Sequence, residues 1–389
     1  TSNASTSNAS TSASDTPIST FTSTAASAFG ANAFAFRPKF LAQWGHCDVV
    51  TSTKDYLVLG TIGTIIIIKK TEDGNVEPIR TVPAHEEKKG EGGYSVDNLA
   101  ICDDHLFSTG GDNSFECRNL ETGLLVWKIA NICKSSEIQM KRMPDGKHVV
   151  IRDKQTFWVF NSEGFKGSFI LQANDRRIQN FFTGAFDFLP DGSMVIHFRR
   201  LEEDTDSELD SFSDDDEENS DPFPPFCVHV PCEEQKRMFA RLIQGPVFPI
   251  QDDMPTPDYK LRINRIQDIF TRTATVDAIY PGGSSGFFCY GGGRIMHPSD
   301  NGKSMIPLVL GKDSSTYLHA VARLPVGQII TSTTKNGEHS ITLWDAKNGE
   351  RLEDIPCSDG SIKIMTSHEH GVDMIMDDGT IVMFKLWEQ

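Results

Sequence analysis

A short turn recurs along this chain and restricts its fold more than any other feature. Met143-Pro144-Asp145-Gly146 and Leu189-Pro190-Asp191-Gly192 share one pattern, and Leu324-Pro325-Val326-Gly327 is a third copy. Proline presets φ for such a turn, and glycine accepts the positive φ that follows. Each turn leads into an apolar run: His148–Arg152, Ser193–Phe198 and Gly327–Thr333. Val, Ile, Phe and Thr dominate further runs of about five to seven residues, split by Gly, Asp and Asn. No stretch has a long helical period, and only Leu261–Phe270 is expected to form a short helix. Four strands in a unit of roughly 40–45 residues are the pattern of a β-propeller.

One unit carries more detail. His319 precedes the strand Ile329-Ile330-Thr331-Ser332-Thr333, and Ser340-Ile341-Thr342-Leu343-Trp344-Asp345 follows as a third strand. Asn348-Gly349 then turns toward a fourth. Upstream, Gly45-His46 precedes Tyr56–Thr61 and Gly63–Lys69. Asp112-Asn113 forms an acidic turn after Leu106-Phe107-Ser108-Thr109, and Glu121-Thr122-Gly123 matches Lys347-Asn348-Gly349. In these residues the chain resembles the tryptophan–aspartate (WD) repeat family. The name-giving dipeptide is intact at Trp344-Asp345, and its place is taken by Arg118-Asn119, Phe160-Asn161 and Phe384-Lys385 elsewhere.

The resemblance implies an all-β fold, a β-propeller of four-stranded antiparallel blades. Seven blades are expected, at about 40–82, 83–130, 131–171, 172–245, 246–313, 314–355 and 356–389. Six or eight are the alternatives, because 246–273 is irregular. The last unit lacks a fourth strand, and the apolar stretch Phe34–Phe40 lies upstream of the first. Family members close the ring by lending an N-terminal strand to the final blade, and the same is expected here. An open sheet edge would be covered that way. The resemblance also implies a structural network of His46, Asp112, His319, Thr331, Thr333, Trp344 and Asp345. In it a buried indole N–H finds an acceptor beside a histidine and a strand-two hydroxyl. His319 is expected to meet Thr331 or Thr333. Lys335-Asn336-Gly337-Glu338 displaces the acidic turn residue of that repeat.

Two segments stand apart in composition. Residues 1–33 are mostly Ser, Thr, Ala and Asn, too polar to offset their ordering entropy, and are expected to be disordered. Asn3 and Asn8 fit an N-glycosylation pattern, which is set aside because no signal-peptide pattern precedes them. Residues 201–221 hold twelve acids and no base, so most of the net charge of −17 sits in one insertion. Self-repulsion should keep it extended. Asp214, Asp215 and Asp216 are candidates for partner binding. Ser207, Ser211 and Ser213 each have an acid three residues on, as acidophilic kinases prefer. A solubilising loop is the simpler alternative.

Other motifs point away from chemistry. His368-Glu369-His370 lacks an identifiable third metal ligand. Cys227 and Cys232 lack a second pair at zinc spacing. Gly291-Gly292-Gly293 and Pro281-Gly282-Gly283 are followed by neither a helix nor Lys-Ser/Thr, so they suit hairpins better than phosphate. No cofactor and no catalytic residue is expected. Lys260, Arg262, Arg265 and Arg272 alternate with Leu261, Ile263, Ile266 and Phe270. That segment is either an amphipathic docking element or a piece packed on the propeller rim.

These features favour a non-enzymatic interaction scaffold or adaptor. It would be a monomeric propeller binding protein or peptide partners within a larger assembly. The alternatives are an enzyme with a metal- or cofactor-dependent site in the channel, and a nucleic-acid-associated protein using 260–272. The acidic net charge opposes nucleic acid. No apolar run reaches the length of a membrane span. Eight cysteines, mostly in apolar runs, suit a reducing intracellular setting, cytoplasmic or nuclear.

Overall fold

Two of the recurrent turns close hairpins in the way their residues dictate. In this computed structural model Gly146 has a φ of 74° and donates its N–H to Met143 O at 3.0 Å. Gly192, with a φ of 83°, does the same to Leu189 O at 2.9 Å. The described residues are 39–40, 47–71, 76–85, 94–132, 138–173, 181–189, 192–200, 226–230, 233–248, 257, 259–263, 269–270, 278–281, 287–291, 294–298, 305–307, 316–324, 328–345, 350–357, 360–377 and 379–385.

Among them the strands form seven sheets. After β1 (Lys39–Phe40), the first sheet holds β2 (Val49–Ser52), β3 (Tyr56–Thr61), β4 (Thr64–Lys70) and β5 (Val76–Pro83). The second holds β6 (Val96–Cys102), β7 (His105–Gly110), β8 (Phe115–Asn119) and β9 (Leu125–Ile129). The third begins with β10 (Gln139–Arg142), β11 (Val149–Asp153), β12 (Thr156–Asn161) and β13 (Gly164–Ala173). Then come β14 (Phe181–Phe188), β15 (Met194–Arg200) and β16 (Phe226–Val230), a helix α1 (Glu233–Gln244), and the strands β17 (Tyr259–Ile263) and β18 (Ile269–Phe270). The fourth sheet is β14, β15, β16 and β18. The fifth holds β19 (Ala278–Pro281), β20 (Phe287–Gly291), β21 (Arg294–Pro298) and β22 (Met305–Pro307). The sixth holds β23 (Thr316–Arg323), β24 (Gln328–Lys335), β25 (Glu338–Asp345) and β26 (Arg351–Cys357). The seventh joins β27 (Ile362–His368), β28 (Gly371–Met376) and β29 (Thr380–Lys385) to β1, with Lys39 opposite Ile381.

The first strands pack side by side in the order β2, β6, β10, β14, β19, β23, β27, and β27 returns to β2. Each sheet therefore has a neighbour on both faces. Central strands accordingly show continuous apolar runs instead of alternation. Ile65, Ile66, Ile67 and Ile68 on β4 are all buried, two facing the second sheet and two the seventh. β-branched side chains suit such a doubly packed pleat. Burying these four contributes roughly 6–12 kcal/mol as an upper estimate.

Three expectations need correction here. The described ends of Leu261–Phe270 are strands and not the expected helix. Tyr259–Ile263 runs parallel to β13 as a fifth strand of the third sheet, with Leu261 opposite Leu171, and Ile269–Phe270 pairs with β16. The segment 246–273 therefore contributes strands to two sheets, and the fourth sheet ends at Phe270, well beyond the expected boundary at 245. A helix does occur where none was expected, at Glu233–Gln244. Its Met238, Phe239 and Leu242, spaced i, i+1 and i+4, are buried against Phe169 and Phe188. It stops at Gly245-Pro246, because proline has no N–H to continue the ladder. Lys166 Nζ donates to Gly245 O at 2.6 Å and satisfies that end.

Candidate interaction surfaces and repeat networks

The sixth sheet carries the intact Trp-Asp repeat. Trp344, buried near the end of β25, donates its Nε1–H to Thr331 Oγ1 at 3.0 Å, and Thr331 Oγ1 donates to Thr342 O at 3.4 Å. Thr333 Oγ1 meets Ser340 Oγ at 3.0 Å. His319 joins neither Thr331 nor Thr333. Its Nε2 lies 2.6 Å from Thr334 Oγ1, which also meets His339 Nδ1 at 2.7 Å. The reason is a register shift between Leu318 and Ala320, which sets His319 on a bulge with its ring exposed. The adjoining turn, Asn336 and Gly337 with φ of 53° and 83°, is the tight hairpin that replaces the acidic turn. Asp345 ends β25, and its N–H donates to Glu350 O at 2.8 Å.

The second sheet holds a denser network. Asp112, in the turn between β7 and β8, meets His85 Nδ1 at 2.7 Å and accepts from the Ser114 hydroxyl at 2.6 Å. His85 Nε2 lies 3.1 Å from Ser108 Oγ on the second strand. Burial alone would raise the Asp112 carboxyl, but hydrogen bonds from His85 and Ser114 outweigh it and hold the group well below the usual carboxylate range. Gly110 is required beside this ring, because a Cβ there would stand 2.4 Å from His85 Cγ and 2.6 Å from Ser95 O. Sequence reasoning named Asp112 and missed His85, Ser108 and Ser114. Ala84-His85, in place of a Gly-His pair one turn upstream of the second unit, was the available signal.

Arg118 stands where the repeat has tryptophan. Its Nη2 donates to Glu116 at 2.8 Å and to Pro83 O at 2.9 Å, tying the second sheet to the first. Lys128 Nζ on β9 reaches Glu116 at 2.9 Å and Asp112 at 3.2 Å. Burial works to raise the Glu116 carboxyl, and these cations bring it below its ordinary value.

Similar ties join other sheets. Trp127 Nε1 donates to Ser162 O at 2.9 Å, Asn98 Nδ2 to Ile138 O at 3.2 Å, and Lys141 Nζ to Asp187 at 3.1 Å. Lys363 Nζ donates to Cys47 O at 3.0 Å. Lys70 on β4 and Asp373 on β28, both buried, form an ion pair between the first and seventh sheets, and Lys70 Nζ also donates to Thr53 O at 2.7 Å. His368 Nε2, also buried, lies 3.8 Å from the same carboxylate.

The remaining candidates fall as follows. Lys260 is exposed on β17, and Arg262 lies on the same strand. Leu261 between them is buried in the third sheet, so it is not presented to a partner. Arg265, Arg272, His46, Asp214, Asp215, Asp216, Ser207, Ser211 and Ser213 lie outside the described residues, as does the tail 1–33. Among the described residues no group of three or more His, Cys, Asp or Glu is placed to hold a metal ion. Burial pushes the Cys47 thiol up to about 11 and those of Cys102 and Cys117 up to about 12, so all three are protonated at neutral pH. No described helix is long and apolar enough to cross a membrane.

No family model and no curated protein matches this chain. Solved structures do. The β-propeller domain of Cps50 (Swd1) from Myceliophteria thermophila superposes with a TM-score of 0.53 at 11% identity, covering 90% of this chain and 100% of that one. A chain of the mitotic checkpoint complex superposes with a TM-score of 0.49 at 8% identity, covering 88% and 91%. Together with the four-stranded antiparallel sheets and the Trp-Asp repeat, the first of these gives the chain the fold of a WD-repeat β-propeller.

Proposed function

We propose that this chain is a non-enzymatic scaffold or adaptor that binds protein or peptide partners on its propeller faces and inserted loops. The supporting observation is where its polar side chains go. His85, Asp112, Arg118, Lys128, Trp344 and the Lys70–Asp373 pair all make bonds within or between sheets. Those groups stiffen a frame, and stiff frames present binding loops at fixed positions. Residues 34–389 would form one domain of seven blades, with β1 closing the seventh. The order of the first strands and the pairing of β1 with β29 support that count. Lys260, Arg262, Arg265 and Arg272, and the acidic insertion at 201–221 with Asp214, Asp215 and Asp216, are the proposed contacts for partners. Ser207, Ser211 and Ser213 would add negative charge to the insertion when phosphorylated. The protein would work as a monomer in a multiprotein assembly of the cytoplasm or nucleus.

The test is affinity capture from native lysate with the full chain and with a chain lacking Leu201–Asp221, read by quantitative mass spectrometry. A stoichiometric partner on both places binding on the propeller, and one on the intact chain alone places it on the insertion. Empty captures from both would refute the scaffold.

A further inference from the structure

Among the described residues the outermost strand of each sheet has one edge that no strand of the same sheet covers, and such edges invite pairing unless blocked. Four of the seven carry a proline or charges. β5 carries Pro78 and Pro83, β22 carries Pro307, and β26 carries Pro356 beside Arg351, Glu353 and Asp354. β17, which covers β13 and is itself the outermost strand of the third sheet, carries Lys260 and Arg262. Of β18 and β1 only two residues each are described. β9 differs: Leu125-Val126-Trp127-Lys128-Ile129 has five residues and no proline. Leu124 is 70% exposed, Leu125 48% and Val126 48%. Its only charge, Lys128, is drawn back onto Asp112 and Glu116 of its own sheet. A register shift does mark β9 against β8, but β13 has one against β12 and still accepts β17.

We propose that β9 takes an extended basic–apolar segment of a partner protein as a fifth strand of the second sheet. This rests on the scaffold function above and assigns it a surface. The third sheet supplies the precedent, since β17 lies along β13 with Tyr259 and Leu261 at alternate positions packed on the core. Backbone hydrogen bonds would give affinity, and side chains at every second position would cover Leu124, Leu125 and Val126. A second copy of this chain fits less well. A five-residue edge falls short of the roughly 1,200 Å² that a specific dimer buries, whereas strand addition by a peptide needs less. The net charge of −17, of which the insertion 201–221 holds −12, remains negative over the rest of the chain and favours a basic segment over an acidic one.

The probe is a panel of fluorescent, end-blocked octapeptides with Ile or Val alternating with Lys and Thr, each paired with a proline-substituted control. Binding to the full chain is read by anisotropy, and the site by hydrogen exchange. The expected result is binding that the controls lack, with new protection over 124–129. Leu125→Lys/Val126→Lys should weaken it at least tenfold; Leu124→Lys alone serves if the pair folds poorly. Protection elsewhere, equal binding by the variants, or no binding by any peptide overturns the proposal. A concentration-dependent dimer that the variants abolish would assign the edge to a second copy and also overturn it. Lysate capture that the variants leave unchanged would remove the edge and keep the scaffold, while empty lysate captures remove both.

Discussion

Replacing Asp373 with Asn tests whether the first and seventh sheets are held by charge. Lys70 and Asp373 are 303 positions apart, and both side chains are almost wholly buried. Desolvating two ions is costly, and the cost is repaid only while both partners are present. Asp373→Asn keeps the shape and removes the anion, so Lys70 keeps Thr53 O and loses the Asp373 charge. Breaking such a pair costs about 3–5 kcal/mol. A domain of about 350 residues unfolds with an entropy near 0.7 kcal/mol per kelvin, so the thermal midpoint should fall by about 4–7 °C. The double variant Lys70→Met/Asp373→Leu removes both charges and should recover most of that loss. Differential scanning calorimetry of the wild type, Asp373→Asn, Lys70→Met, Asp373→Leu and the double variant gives both the loss and the coupling. A single variant within about 1 °C of the wild type, or a double variant no better than the singles, would refute the reasoning.

Three further perturbations follow from the repeat networks. Gly110→Ala forces a Cβ against the His85 ring and a backbone oxygen; urea unfolding should show a loss of about 1–3 kcal/mol, the range for an overpacked site. Trp344→Phe removes the indole donor to Thr331 and should cost about 1–3 kcal/mol in the same assay, with packing largely kept. Asp112 has a folded pKa below its unfolded value near 4, so its stabilisation is present above about pH 4 and is lost as pH falls through the folded value. Asp112→Asn should therefore be less stable than wild type at pH 7, with the difference narrowing in acid-unfolding curves below about pH 4.

Much of the frame was readable in the order of residues, because its rules act locally. The Pro-Asp-Gly turns need one fixed φ and one positive φ, and both requirements lie within four residues. The runs Ile65–Ile68 and Ile329–Thr333 read as strands because β-branched side chains crowd a helix and fit a pleat. Trp344 and Thr331 could be placed together because adjacent antiparallel strands carry them, with Ile329 opposite Trp344. His319 shows the limit of that reasoning. A one-residue bulge redirected its ring from the buried hydroxyls to Thr334, and no residue near it announces the bulge.

The helix α1 was missed although Met238, Phe239, Leu242 and Ile243, spaced i, i+1, i+4 and i+5, pack on the core, because that stripe spans less than two turns beside strand-rich sequence. The basic stretch around Lys260 had two readings in the sequence, and the parallel pairing of β17 with β13 decided that Leu261 packs inward. The exposed edge of β9 had no sequence signature either, since Leu125-Val126-Trp127 looks like any other strand until its neighbours are known. Sequence by itself determined the turns, the strand-rich repeat and the identity of the Trp-Asp unit, all set by backbone sterics over a few residues. Only the tertiary structure decided which edges are covered, which charges meet across 303 positions and which histidine joins Asp112. Those outcomes depend on packing between segments whose separation along the chain carries no local signal.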